Sequence, residues 1–173
     1  MLIDVSYFTS GPRHIVNATA TATTSQNSLS VNAAIVGYIR HYQLAFLCEM
    51  LGDSLAVEVD DYLNEKEQAE KATNGQTAFE PVERFELLCS KLRDSFADYV
   101  FFYLMRDAGT QATERGVVIW KNENTVVSPL QRQVSVWNEM VNRNVRFKAW
   151  AAIHEPSVSV SSNMTSRVNP YNL

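Results

Sequence analysis

The chain has 173 residues, with 15 Lys and Arg against 19 Asp and Glu, a formal net charge of −4. Apolar residues at 46% and charged residues at 20% fit one ordinary globular domain with a real core. They argue against a disordered chain, and the mild acidity argues against a dedicated nucleic-acid binder.

No apolar run approaches the ~20 residues that span a bilayer. The opening MLIDVSYFTSGPRH has no basic start followed by an apolar run, so it does not read as a secretion signal. The segment from His14 to Val31 is rich in Thr, Ala, Ser and Asn and carries no helical stripe. Thr and Val favour extended backbone, while Ser and Asn compete with helical hydrogen bonds. Residues 1–31 are therefore expected to form an extended arm that touches a neighbour, or else a poorly ordered terminus.

The first helix is expected from Asn32 to Leu51. Ser30 or Asn32 is placed to cap it, and Gly52 to end it. Ile35, Ile39, Tyr42, Phe46 and Met50 recur at three- and four-residue spacing and so share one face. Gly37 inside the helix suggests a close contact there. A second helix is capped by Asp53 or Ser54 and carries Leu55, Val59, Tyr62 and Leu63. It fades into the charged run NEKEQAEKATNGQ, which reads as a solvated end and loop.

The third helix is expected from Pro81 to Asp107, with Phe85, Leu88, Leu92, Phe96, Tyr99 and Tyr103 as its main stripe. Its second half is apolar on most faces, which places it centrally. The period then changes. Gly116–Trp120 and Thr125–Val127, separated by Lys-Asn-Glu-Asn, read as a short β-hairpin over 116–127. Ser128-Pro129 opens the last helix. Its stripe is Leu130, Val134, Trp137, Val141 and Val145, extended by Trp150 and Ile153, and Pro156 stops it. The expected organisation is an arm over 1–31, a mainly α, four-helix bundle-like domain over 32–153 with one hairpin, and a flexible tail over 154–173.

Few residues suggest chemistry. Cys48 and Cys89 lie in apolar helical patterns without metal spacing, and read as buried small hydrophobes. His14, His41 and His154 are far apart. The Asn-X-Thr triplets at Asn17 and Asn163 read as chance matches. No phosphate loop, dinucleotide fingerprint, zinc-protease motif or nucleophile elbow occurs. No cofactor, no metal and no enzymatic activity are expected. Asp61 and Glu65, near Asp60, could pair on one helix face, although a solvated acidic face is the simpler reading. Arg143, Arg146 and Lys148 make a small basic patch that a helix C-terminus explains as well. The aromatic residues of the third helix read as core, with a ligand pocket as the alternative.

Val117, Val118, Ile119, Trp120, Val126 and Val127 make the expected hairpin apolar on both faces. A hairpin with one wet face would alternate. These six, with Trp137, are the candidate interface residues, because an isolated hairpin is marginal and Trp is favoured at hot spots. The alternative is that the third helix simply covers one hairpin face.

The stretches FLCEMLGDSL at Phe46–Leu55, YVFFYLMRD ending at Asp107 and GVVIWKNENTVVSPLQRQVSVW at Gly116–Trp137 resemble head–tail connector or head-completion proteins of tailed phages. The resemblance is to versions carried by phages and prophages of gut Bacteroides-type bacteria, and it covers roughly residues 32–153. It implies a homo-oligomeric ring that bridges portal and tail proteins, with arms and hairpin clasping neighbours. It also implies a place in the host cytoplasm during assembly and then in the virion, with nucleic acid only incidental. The contrasting expectation is a helical bacterial binding module with an aromatic ligand pocket.

Overall fold

Helix stripes, not strands, organise the chain, as the spacing predicts. The computed structural model describes residues 1–72, 79–108, 110–113, 116–119 and 129–169. Four long helices carry the architecture: α1 Gln26–Leu51, α2 Asp53–Lys71, α3 Glu83–Ala108 and α4 Pro129–His154. α1 packs on α2 and on α3, and α3 packs on α4. The core between them is built from Ile35, Ile39, Phe46 and Met50 of α1, Val59 of α2, Leu88, Leu92 and Phe96 of α3, and Met140 of α4. α3 has 26 residues and runs about 40 Å at 1.5 Å per residue. None of the described helices is long and apolar enough to cross a membrane.

α1 begins at Gln26 rather than Asn32. Asn27, Ser28, Ser30 and Val31 are weak formers, but adding residues to an existing helix is far easier than nucleating one. Asn32 is therefore no cap. It receives the Thr19 N–H at 3.1 Å and donates to the Thr19 carbonyl at 2.8 Å, holding the preceding segment to the helix. Gly37 faces solvent with nothing within 4 Å of a built Cβ, so the expected close contact is not there. Gly52, at φ 86°, ends α1 and directly precedes α2. That backbone region suits glycine, and it lets the elbow form without a linker. α2 has Gly52 at its N-cap position, so neither Asp53 nor Ser54 caps it.

The α4 stripe differs from expectation. Val134, Met140, Val141, Phe147 and Ala151 are buried, together with Asn144, whereas Leu130, Val145 and Ile153 are exposed. The buried ridge steps three residues from Val141 to Asn144, not four to Val145.

The expected partner strand Thr125–Val127, with Trp120, lies outside the described residues. Among the described residues Gly116–Ile119 (β2) pairs antiparallel with Thr110–Thr113 (β1), in the register Thr110–Ile119 to Thr113–Gly116. Two residues separate these strands, the shortest common hairpin spacing, and closing a short loop costs less entropy. Residues 120–128 lie outside the described residues.

The described parts of both terminal segments carry side chains that are buried against the bundle. Leu2, Ile3 and Phe8 are buried in the core, and 3-10 turns form at Val5–Phe8 and Gly11–Arg13. Asp4 caps the first, accepting the Ser6 N–H at 2.8 Å. Asn17 takes φ 68°, a conformation Asn tolerates. At the other end Met164 is buried within a 3-10 turn, Asn163–Thr165, that touches both α4 and α1. The reason in both cases is apolar side chains at irregular spacing, which a periodicity search does not see.

Candidate interaction surface

α1 and α3 each carry tyrosines four residues apart, Tyr38 with Tyr42 and Tyr99 with Tyr103. Four residues bring side chains onto one helix face. Packing α1 on α3 then brings the two pairs together. The rings of Tyr42 and Tyr103 stack with centroids 4.2 Å apart, and the Arg106 guanidinium lies over Tyr103 at 4.3 Å. Tyr99 meets Tyr42 and Tyr103 edge-on, at 5.8 and 4.8 Å. Its hydroxyl donates to that of Tyr103 at 3.4 Å. Tyr99 is buried, while Tyr38, Tyr42, Phe102 and Tyr103 are half-buried and Arg106 is exposed.

Asp107 ties the edge of this face together. The Tyr38 hydroxyl donates to it at 2.9 Å and the Arg106 Nε at 3.1 Å. Burial, then the hydrogen bond to Asp107, push the Tyr38 phenol up to about 12. Burial also raises Tyr42 and Tyr99. These phenols therefore act as neutral donors and ring surfaces, not as bases, at ordinary pH.

The candidate residues distribute unevenly. Trp137 is half-buried on α4, 5.0 Å from the Phe102 ring, and its indole N–H donates to the Ser166 carbonyl at 3.0 Å. It is thus joined to the tyrosine face but engaged within its own chain. Val117, Val118 and Ile119 lie in β2, and the hairpin touches α3 through β1. Trp120, Val126 and Val127 lie outside the described residues.

Charged residues elsewhere are largely structural. Asp98 is buried between α3, α4 and the N-terminal segment. It receives the Arg13 Nε at 2.6 Å and the Arg143 Nε at 2.9 Å. Burial pushes its carboxyl up, against the two guanidinium groups that pull it down. The two guanidinium groups converge on this one buried carboxyl and tie the N-terminal segment and α4 to α3. Arg143 therefore belongs to this network and not to an open basic patch, while Arg146 and Lys148 are exposed. Sequence reasoning missed Arg13 and Asp98, because nothing local links residues so far apart.

A groove of about 930 Å³ lies between α1 and α2, lined by Arg40, Gln43, Asp60, Asp61, Glu65, Glu67 and Lys71 among others. Asp61 and Glu65 are exposed there. Asp60 is engaged by Gln43 at 2.6 Å and Asn64 at 3.1 Å. Glu67 is surrounded by Lys71, the Met1 amino group at 3.3 Å and Arg40 at 3.0 Å. Chiefly through Lys71, its carboxyl is lowered to about 2. A second cleft, of about 590 Å³, lies beside Tyr62 and Phe79. No group of three or more metal-ligating side chains occurs among the described residues. Burial raises both thiols, Cys89 to about 11, so neither is an activated nucleophile. Cys89 is buried as expected of a small hydrophobe, and Cys48 is half-buried.

No family model matches this chain, and neither the curated proteins nor the solved structures compared with it gave a match.

Proposed function

We propose that this protein is a structural adaptor, without catalysis of its own, that self-associates and joins larger partners, as phage head–tail connectors do. The observation that supports it is the Tyr42–Tyr103–Arg106 stack on a half-exposed face beside the β1–β2 hairpin. Tyr and Arg are the residues, with Trp, that concentrate binding energy at protein interfaces. Two paired strands also leave edges that another chain can extend. In this reading Val117, Val118, Ile119, Trp120, Val126 and Val127 add the apolar part of the contact, and portal and tail proteins are the partners. Assembly would take place in the host cytoplasm and end in the virion.

The rings of this face are stacked on each other, which favours a contact surface over a ligand pocket. The cleft beside Tyr62 and Phe79 is where the alternative, a small-ligand binding module, would have its site. Trp120→Ala separates the two. An adaptor loses oligomers or portal capture while its helical circular dichroism is unchanged. A ligand module remains monomeric with portal present, and its melting temperature rises with a small aromatic ligand. That second pattern would overturn the adaptor reading.

A further inference from the structure

The segment after α4 folds back along the helix it leaves. α4 ends at His154, and Pro156, lacking an N–H, cannot continue it. Residues 157–169 carry a single charge, at Arg167. The N–H groups of Ser159 and Ser161 donate to the carbonyls of Leu51 and Glu49 at 3.3 and 2.8 Å. These carbonyls belong to the last turn of α1, where a helix leaves acceptors without internal partners. Side chains of α4 then hold the main chain. Asn144 donates to the Met164 carbonyl at 2.8 Å, and Trp137 to that of Ser166 at 3.0 Å. Asn138 donates to the Val168 carbonyl at 3.0 Å and accepts its N–H at 2.9 Å.

The strap is thus read almost wholly through its backbone. Within it only Met164 is fully buried, while Val158 and Val160 pack partly on the core. A short segment held by one buried apolar anchor, one buried hydrogen bond from Asn144 and several partly exposed ones opens more easily than the whole bundle unfolds. Its turn is held from outside. Arg84, in the first turn of α3, donates to Glu155 at 3.0 and 2.8 Å and to the Ser157 hydroxyl at 3.2 Å. These contacts flank Pro156 and fasten the folded-back path.

We propose that residues 157–169 are an exchangeable strap. The slot formed by the end of α1 and the Trp137–Asn144 face of α4 receives the strap of a second copy of this chain, and Arg84 is the latch that favours the closed form. Every strap–slot contact is the same within one chain or between two. The balance therefore rests on the turn and on concentration, which is the condition for domain exchange. This inference rests on the self-association proposed above and adds a second contact between copies to the tyrosine face.

The test uses full-length chains in a Cys48→Ala background. Arg167 donates to Asn142 on α4, so Asn142→Cys and Arg167→Cys place thiols on slot and strap. The double variant, treated with a short bis-maleimide, should cross-link within one chain. Each single variant alone should stay at single-chain mass. The two single variants mixed, incubated and then treated should give an adduct of twice the chain mass. Adding Arg84→Ala should raise that adduct several-fold. No mixed adduct above the single-variant background, with or without Arg84→Ala, overturns the exchange. Sedimentation of the same samples separates the two readings: oligomers without mixed adduct leave self-association standing, and monomers alone remove both.

Discussion

Asn144 of α4 is wholly buried and donates to the main-chain carbonyl of Met164, 2.8 Å away. The Ser95 hydroxyl donates to its other end. One amide thus joins α3, α4 and the C-terminal strap inside an otherwise apolar ridge. Asn144→Ala leaves the Met164 carbonyl and the Ser95 hydroxyl without these partners, and each orphaned buried group costs about 1–3 kcal/mol. Urea unfolding should show a loss of about 2–4 kcal/mol, with faster proteolysis near residue 160. A change within about 0.5 kcal/mol, the range of ordinary surface substitutions, would refute this role.

Asp98 carries the matching role for the N-terminal segment. Its side chain is 7% exposed and those of Arg13 and Arg143 are 16% and 35% exposed. Asp98→Asn leaves two guanidinium groups facing a neutral amide. Breaking a buried pair costs about 3–5 kcal/mol, and the partial exposure of Arg143 brings the expected loss to about 2–4 kcal/mol by the same principle. Asp94 also pairs with Arg13 but is 60% exposed, so Asp94→Asn should cost under about 1 kcal/mol. Thermal melts of the two variants check the contrast, and equal losses would contradict it.

Acid should loosen α2. Glu67 is lowered to about 2, first by Lys71, and Glu86 is lowered first by Lys66 and then by Tyr62. A carboxyl held below its unfolded value of about 4.3 stabilises the fold fully above that value. The contribution is lost as pH falls through the folded value. Melting temperature should therefore fall from about pH 5 to pH 2, and Glu67→Gln should flatten that fall while lowering the value at pH 7. Parallel curves for the two proteins would exclude Glu67 as a cause.

Helix existence was legible wherever apolar residues recur every three or four positions, as in Ile35, Ile39, Phe46 and Met50. The failures have particular causes. On α4, Val145 looked like the next core position after Val141 because it is apolar, yet the ridge passes through Asn144. A polar residue can occupy a core position when both ends of its amide are bonded, and periodicity cannot see such bonds. The Thr-rich start of the chain looked extended because its apolar anchors, Leu2, Ile3 and Phe8, follow no regular spacing. In the hairpin, Gly116–Ile119 is legible as a strand from its β-branched run, but its pairing with Thr110–Thr113 is not, because Thr110–Thr113 lacks such a run. The tyrosine face left one signal, two tyrosine pairs at four-residue spacing on separate helices. Their meeting is a tertiary fact that the sequence does not contain.

Self-association through the tyrosine face is the central claim, and sedimentation velocity of full-length wild type beside Tyr103→Ala tests it most directly. Tyr103 is half-buried against Tyr42 and Arg106, and a hot-spot residue removed by Ala costs about 2 kcal/mol or more in binding. The wild type should sediment as a discrete oligomer that dissociates on dilution. Tyr103→Ala should shift that equilibrium roughly 30-fold or more toward monomer while its helical circular dichroism stays near the wild-type value. A wild type that remains monomeric at every concentration, with portal present or absent, would contradict the account.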